Sequence, residues 1–580
     1  MSSNTLKGIL RNLGGALRHF KDYQKRAMFS VFLDLVCRLF ESMGLLLIIP
    51  VIALMAPAMM PESKLQKAVL SVFRTLNINM TLVSLSAGIL IFFTIKLLFL
   101  YRARIYIMKL ANVYRKDLIT NIFTSYQESD WNYFNAQKRG YLINYILMVT
   151  TENSYLFYVI IRGISGLLSV GLYYIFALFL SPGITLSITV LLAILVIFYS
   201  LVFKKIHYHS FKELHSTNRL AKLVEQFLSG FENIRVYSAG NSAIDKICNE
   251  AQIRMDHNIT QKRYQLGFKA SIELLLVIVM LVIIIFALQY RHYPIEKIIV
   301  GSMFMGRLMM KLSDVYFFNR LAEKVPGLQL FDRVYADFRK HRDIMLNSGI
   351  IIPDIKRSIE FRGVDITFSR QISGTEKLVL LHDLNFSIQK GAICCIEGES
   401  GTGKTTIICM LAGLIKPAKG EIFIDDTALS GANITEWSRN IGYVSQHSFI
   451  TNDTVYSNIS FFRDLSQDDI IMAAKMANCH NMISNLKNGY DTILGEAGTN
   501  LSGGQKQMIC LARALAGNPK LLLLDEAASS IDTQSESTII STINEMRGKI
   551  TIVNVAHRSS AALQADITVT IKDGTITQKA

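Results

Sequence analysis

Six mostly apolar stretches, roughly 27–57, 82–108, 154–180, 183–204, 268–289 and 295–318, constrain this chain more than any other feature. Crossing the hydrocarbon core of a bilayer takes about 20 apolar residues in a helix, so each stretch is long enough to span. An even number of spans brings the chain back to the side on which it began. With 51% apolar and only 18% charged residues, against about 25% charged in an ordinary soluble domain, a disordered or collagen-like chain is excluded. The formal charge of +16 is unevenly placed: residues 1–350 hold 40 Lys and Arg against 21 Asp and Glu, whereas residues 351–580 hold 21 against 24. The basic part is thus the greasy part, which fits cytoplasmic loops beside membrane spans. A nucleic-acid surface needs a soluble basic face, so no nucleic-acid partner is expected.

The links between spans are unequal. The runs 109–153 and 205–267 are long, basic and helical in pattern, whereas those near Ser181-Pro182-Gly183 and Gln289–Pro294 are short. The long runs are expected to be cytoplasmic extensions of the spanning helices. Residues 61–76 form the one sizeable external segment. Leu65, Val69, Val72, Phe73 and Leu76 repeat there at helical spacing, which predicts a short amphipathic helix at the interface. The first 26 residues are polar and basic without a short apolar core and cleavage site, so the N-terminus is expected to remain in the cytosol. Seven cysteines without a C-x-x-C pair indicate neither zinc nor a disulfide framework and point to a reducing compartment. The expected division is a cytoplasmic segment 1–26, a transmembrane domain 27–325, a linker 326–355 and an α/β domain 356–580.

The soluble half carries phosphate chemistry. A strand, Ala392–Glu397, runs into Gly398-Glu399-Ser400-Gly401-Thr402-Gly403-Lys404-Thr405, and an apolar helix Thr406–Leu414 follows. This is G-x-x-x-x-G-K-[ST] between strand and helix, where glycines let backbone N–H groups wrap phosphates, Lys404 reaches the β- and γ-phosphates and Thr405 can ligand Mg²⁺. A second apolar strand, Leu521–Leu524, ends in Asp525-Glu526, a carboxylate for the metal and a candidate general base for an attacking water.

Roughly twenty residues ahead of that strand stands Leu501-Ser502-Gly503-Gly504-Gln505, which matches the signature of ATP-binding cassette transporters. Six spans ahead of one cassette resemble an exporter-type half-transporter: a polytopic α-helical membrane domain fused to a P-loop nucleotide-binding domain. The resemblance implies a homodimer in which two cassettes sandwich two ATP molecules head to tail, with Ser502, Gly503, Gly504 and Gln505 of one subunit capping the phosphate held by the other. It further implies that Gln446 in Val444-Ser445-Gln446 touches Mg²⁺, and that His557 in Ala556-His557-Arg558 is the switch histidine on the γ-phosphate. Asp532 would lie in the loop that speaks to the partner site, where Ser530 and Ile531 replace the commoner Ala-Leu. Phe368 stands where the family places an adenine-stacking aromatic. Thr406 completes the phosphate loop, and Glu496 resembles a loop in cross-talk with the membrane domain, with Ala497 in place of its usual Arg. Trp131–Gly140 and Gly230–Tyr237 resemble the coupling segments that dock on cassettes. The chain runs only six residues past Gly574, so the family's customary C-terminal helix is expected to be missing or short.

The cargo is less narrowly drawn. Asp34, Arg38 and Glu41 share one helical face of the first span; charges at membrane depth pair or line a wet cavity, or form an intramolecular ladder if the helix begins deep in the cytosol. Lys96, Arg162, Arg307 and Lys311 are further cations at or near membrane depth, and Lys269 and Glu273 pair at i, i+4. Together they point to an anionic group on the cargo, with snorkelling at span ends as the alternative. Glu41-Ser42-Met43-Gly44 followed by Ile49-Pro50 is similar to the first span of flippases for lipid-linked oligosaccharides. The expectation is an ATPase of the cytoplasmic (inner) membrane that exports or flips an amphiphile, with ATP and Mg²⁺ as cofactors and membrane lipid around it. A peptide or drug exporter, an importer on the same fold, and an ATP-gated channel or regulator are its rivals.

Overall fold

In a computed structural model, residues 20–55, 71–75, 77–137, 139–180, 182–289, 316–343, 348–369, 377–526, 533–556, 564–572 and 575–579 are described. The chain forms two compact units, Met1–Gln127 with Ala136–Lys340, and Glu128–Asn135 with His341–Ala580.

The first unit is helical. Helix α1 (Gln24–Leu46) stops one residue before α2 (Ile48–Met55), because Pro50 has no N–H for the carbonyl of Leu46 and its ring crowds that carbonyl. Helix α3 (Leu82–Gln127) starts at a reciprocal cap in which Thr81 N donates to Ser84 Oγ and Ser84 N to Thr81 Oγ1. The short α4 (Trp131–Ala136) belongs to the second unit up to Asn135. Helix α5 (Thr150–Leu180) follows a π turn at Tyr145–Val149, α6 (Pro182–Ser229) opens on its proline, and α7 (Phe231–Val236) connects α6 to α8 (Gly240–Gln289). Helix α9 (Tyr316–Lys340) ends the unit. Among the described residues three helices, Lys21–Ile52, Leu82–Gln127 and Tyr145–Leu178, are long and apolar enough to cross a membrane. The expected fourth and fifth spans fall on helical backbone at the start of α6 and the end of α8. The sixth as far as residue 315, and most of the external segment 61–76, lie outside the described residues, although 71–75 and 316–318 are helical.

The charges predicted inside the first span neutralise one another. Arg38 Nη1 lies 3.1 Å from Glu41 Oε2 and Arg38 Nη2 lies 3.2 Å from Asp34 Oδ1. Lys96 Nζ on α3 lies 2.8 Å from Glu41 Oε1, and Tyr173 on α5 donates its hydroxyl to Glu41 Oε2 at 2.8 Å. Ser165 Oγ, also on α5, donates to Asp34 Oδ2. Glu41 and Tyr173 are each 1% exposed. Of the readings open for these residues, mutual pairing is the one the structure adopts. Arg38 and Lys96 are therefore corrected from cations awaiting an anionic cargo to members of a three-helix ionic cluster. A charge in low dielectric is held by the partner it already has.

The second unit is built on two sheets. Strands β1 (Ser358–Ser369), β2 (Lys377–Gln389), β4 (Lys419–Ile424) and β5 (Thr427–Ala428) form an antiparallel sheet ordered β2-β1-β4-β5. Strands β3 (Ile393–Gly398), β6 (Ile441–Val444), β7 (Leu521–Asp525), β8 (Thr551–Ala556), β9 (Ile567–Lys572) and β10 (Thr575–Lys579) form the other, ordered β10-β9-β3-β8-β7-β6. This sheet is parallel from β9 to β6, so its strands are covered on both faces and read as apolar runs. Leu521 to Leu524 are fully buried. Helices α10 (Lys404–Leu411), α11 (Val455–Ser460), α12 (Gln467–Met476), α13 (Gly503–Leu515) and α14 (Thr533–Glu545) complete the elements used below. The fully buried Trp437 ties down α10 by donating its indole N–H to the carbonyl of Leu411 at 2.9 Å.

Candidate functional site

Strand order alone gathers the predicted chemistry at one edge. Strand β8 separates β3 from β7, and Ile396, Val555 and Asp525 lie in register across the three. At the ordinary strand spacing, the phosphate loop leaving β3 and the acids leaving β7 stand about 10 Å apart. On the far side Val444 pairs with Leu524, which carries Gln446 to the end of β7. Ligands of parallel α/β sheets bind at this carboxyl edge.

The loop itself is shaped by glycine where glycine is required. Gly403 has φ +96° and is the N-cap of α10, so the helix N-terminus opens onto the loop. A Cβ at Gly398 would sit 2.9 Å from the carbonyl oxygen of Ile571, which keeps the turn tight against β9. Thr402 closes the turn by donating Oγ1 to the carbonyl of Glu399 at 2.9 Å. Lys404 is 5% exposed and its ammonium donates to the carbonyls of Gly398 at 2.7 Å and Glu399 at 2.8 Å. Burial lowers its pKa from the ordinary lysine value, against the opposing pull of Glu526 and Asp525.

Thr405 Oγ1 donates to Asp525 Oδ1 at 3.2 Å, linking the first turn of α10 to the end of β7. Burial raises the Asp525 pKa above the usual carboxylate value; the Thr405 hydrogen bond and Lys404 oppose the rise, while the neighbouring Glu526 adds to it. Gln446 Nε2 donates to Glu526 Oε2 at 2.8 Å. Glu526 is 9% exposed and holds a left-handed φ of +51°, a conformation that costs a non-glycine residue about 1–2 kcal/mol. Its N–H donates to the carbonyl of Val555 at 3.2 Å, so the chain leaves β7 abruptly and lays the carboxylate beside Gln446.

Ser502 and Gln505 serve their own helix. Ser502 is the N-cap of α13: its Oγ accepts from Gln505 N at 3.3 Å, and Gln505 Oε1 accepts from Ser502 N at 3.0 Å. Ser502 and Gly503 are exposed while Gly504 is buried. The structure places Phe368 in β1 opposite Leu378 of β2; its side chain lies outside the described residues. Asp532 and His557 lie outside them too, although Ala556, directly before His557, pairs with Glu397. Ser400, Gly401 and Thr406 sit in or beside the loop as predicted from its order. Among the described residues no group of three or more His, Cys, Asp or Glu side chains is arranged around a metal position.

One buttress escaped sequence reasoning. Arg513 on α13 donates Nη1 to the carbonyl of Phe449 at 2.7 Å and Nε to that of Asn458 at 2.7 Å. It thereby ties the helix capped by Ser502 to the loop that carries Gln446. An arginine ten residues inside an amphipathic helix carries no signal of that role.

Comparison with known proteins agrees with this geometry. The ABC transporter family matches residues 381–529, and the ABC transporter transmembrane region matches residues 28–312. The chain is 36% identical over 234 residues to ABC transporter B family member 21 of Arabidopsis thaliana, covering 40% of this chain and 18% of that one. It is 34% identical over 264 residues to the ATP-dependent lipid A-core flippase of Syntrophus aciditrophicus (strain SB), covering 45% and 42%. It is 30% identical over 374 residues to the ATP-dependent permease MDL1 of Candida albicans, covering 62% and 53%. The matched segments thus span about half or less of these curated relatives. A bacterial Atm1-family ABC exporter solved with ATP bound superposes with a TM-score of 0.77 at 20% identity, over 97% of this chain and 95% of that one, a likeness of fold.

Proposed function

The chain belongs to the ABC transporters, a multi-pass membrane region followed by an ATP-binding cassette in the exporter arrangement, and on that premise we propose that it hydrolyses ATP to move an amphiphile across the cytoplasmic membrane. The carrying observation is the convergence of Lys404, the Thr405–Asp525 pair and the Gln446–Glu526 pair at one sheet edge. The loop and Lys404 hold the β- and γ-phosphates. Glu526, aligned by Gln446, accepts a proton from the water whose oxygen attacks the γ-phosphorus, while the bond from that phosphorus to the β-phosphate oxygen breaks. The hard oxygens of Thr405 and Asp525, 3.2 Å apart, suit Mg²⁺, and Gln446, bonded to the adjacent Glu526, would offer a further oxygen; the ion would neutralise phosphate charge. Phe368 would stack on the adenine, and His557 and Asp532 would complete the site from the loops that follow β8 and β7.

The working unit is a homodimer with the cassettes in the cytosol. The exposed Ser502–Gly503 turn would cap the phosphate held by a second copy, since a helix N-terminus is an anion site. Large apolar side chains of the α7 turn, Val236 and Tyr237, are 74% and 77% exposed and suit docking on a second chain. Cysteines introduced at Ser400 and Ser502 should crosslink different chains, and only with nucleotide present; crosslinks confined to one chain contradict this reading. Of the native thiols Cys394 and Cys395 are buried and Cys248 is exposed, so Cys248 must be replaced first.

The cargo we favour is a lipid, most specifically a lipid-linked oligosaccharide; the similarity to a lipid A-core flippase supports the lipid class. With Arg38 and Lys96 engaged by acids, recognition of an anionic head falls to cations such as Arg162, which is exposed and, among the described residues, meets Tyr158. Arg307 and Lys311 lie outside the described residues. ATPase measured with a lipid-linked oligosaccharide and with a neutral peptide decides the class: stimulation by the peptide alone moves the assignment to peptide export.

A further inference from the structure

Away from the nucleotide site, the hydrophilic lengths of α6 and α8 pack antiparallel along a seam that is polar where a helix pair is ordinarily apolar. Ser216 donates to Glu250, Arg219 Nε lies 2.9 Å from the same carboxylate, and Asn258 Nδ2 donates to Glu213 Oε1 at 2.8 Å. Next along the seam His209 and His257 face one another with their Nδ1 atoms 3.2 Å apart. One helical turn beyond His257 the side chain of Gln261 is fully buried, and neither its amide oxygen nor its nitrogen has a partner. A buried amide left unpaired carries its full desolvation cost, which a ligand or a bound water in the seam would remove.

We propose that His209 and His257 form a site for a divalent transition metal of the zinc class, clipping α6 to α8. Two metal–nitrogen bonds of about 2.0–2.1 Å at a tetrahedral angle set the nitrogens about 3.3 Å apart, close to the distance between these rings. The ring centroids lie 5.5 Å apart with the planes inclined by 47°, so the two Nδ1 atoms face one another nearly head-on, and turning each ring by roughly 35° from that line brings both lone pairs onto one metal position. Two nitrogens are the protein's share among His, Cys, Asp and Glu, since no larger group of them is arranged for a metal among the described residues. Water supplies the remaining donors, and Glu213, one turn from His209, is held by Asn258. The neighbouring cations are drawn aside: Lys205 lies over the ring of Tyr264 at 5.2 Å and Lys212 over that of Tyr208 at 5.8 Å. A metal here fixes the register of two helices that little apolar burial holds in this stretch.

The alternative is a pair that merely shares a proton, and the test separates the two. Full-length protein in nanodiscs, with any purification tag removed, is titrated with Co²⁺ and then with Zn²⁺, following the visible absorption of tetrahedral Co²⁺. His209→Asn, His257→Asn and His215→Asn are compared with the parent, the last because His215 is exposed on α6 and meets Phe211 edge to face. The expected result is one Co²⁺ per chain, displaced by Zn²⁺, at least about tenfold weaker in the His209 and His257 variants and unchanged in the His215 variant. Unfolding in the presence of a chelator shows whether each variant is folded, and His209→Gln replaces any that is not. Parent protein that binds Co²⁺ no more tightly than the His209 and His257 variants overturns the proposal and leaves the shared proton.

Discussion

Two groups of buried charges in this chain are handled in opposite ways. In the cassette, Lys404 is met by two main-chain carbonyls, and the adjacent acids Asp525 and Glu526 are met by the neutral side chains of Thr405 and Gln446. In the membrane unit, Arg38 is met by Asp34 and Glu41, and Lys96 by Glu41 again. Neutral partners hold a charged group in place without cancelling its field, which is what a site for a charged ligand requires. Ionic partners cancel the field, and what remains is a scaffold. The type of partner, more than the depth of burial, separates the two.

The largest effect expected from breaking this contrast is at Glu526. Glu526→Gln keeps the shape and the contact with Gln446 but cannot accept a proton. Hydrolysis should fall by about two to four orders of magnitude while ATP still binds, whereas Lys404→Ala should lose the nucleotide. Steady-state ATPase paired with a nucleotide-binding measurement checks both. Near-normal turnover in Glu526→Gln protein would remove the general base from this position.

The same kind of change in the membrane unit should alter stability instead of chemistry. Glu41→Ala strands Lys96 and leaves Arg38 with Asp34 alone in a buried site, and breaking a buried pair from one side costs roughly 3–5 kcal/mol. Thermal unfolding in nanodiscs should show a lower melting temperature, partly restored when Lys96→Met is added. If instead the folded protein is as stable as the parent and loses only its response to lipid, Glu41 is a recognition residue and the two regions are not opposites.

How much of this was legible depended on whether a residue acts through its neighbours in sequence. The phosphate loop is local: Gly398 to Thr405 carry their own turn and helix start, so spacing alone announces them. Asp525 and Glu526 were readable because a buried parallel strand is an unbroken apolar run, here Leu521 to Leu524, and its end is where ligands bind. The ionic cluster was legible only in part: Asp34, Arg38 and Glu41 share one face of α1, but Lys96 and Tyr173, which complete the shell of Glu41, arrive from α3 and α5. A tyrosine hydroxyl inside an apolar span does not reveal from sequence which carboxylate it will meet. His209 and His257 were passed over for the same reason, being 48 residues apart and joined only by the antiparallel return of the hairpin.

The smallest effect on stability separates capping from recognition inside the cassette. Two helices there begin with the same device: Ser466 caps α12 with Asp469 returning to its N–H, and Ser502 caps α13 with Gln505 doing so. Removing an N-cap hydroxyl costs about 0.5–2 kcal/mol wherever the helix is, so Ser466→Ala and Ser502→Ala should lower the melting temperature by similar small amounts. If capping were the whole role of Ser502, the two variants would also share near-normal ATPase. A turn that caps the phosphate of a second chain behaves differently, because losing a donor to a charged group in a closed site costs about 1.5–3 kcal/mol. Ser502→Ala should then reduce turnover by roughly tenfold or more while Ser466→Ala leaves it unchanged. Mixing Ser502→Ala chains with Lys404→Ala chains sharpens the result: with the signature turn serving the other subunit, each mixed dimer carries both defects in one of its two sites and leaves the other site whole. Activity in the mixture above that of either variant alone is expected, and its absence would confine Ser502 to its own helix.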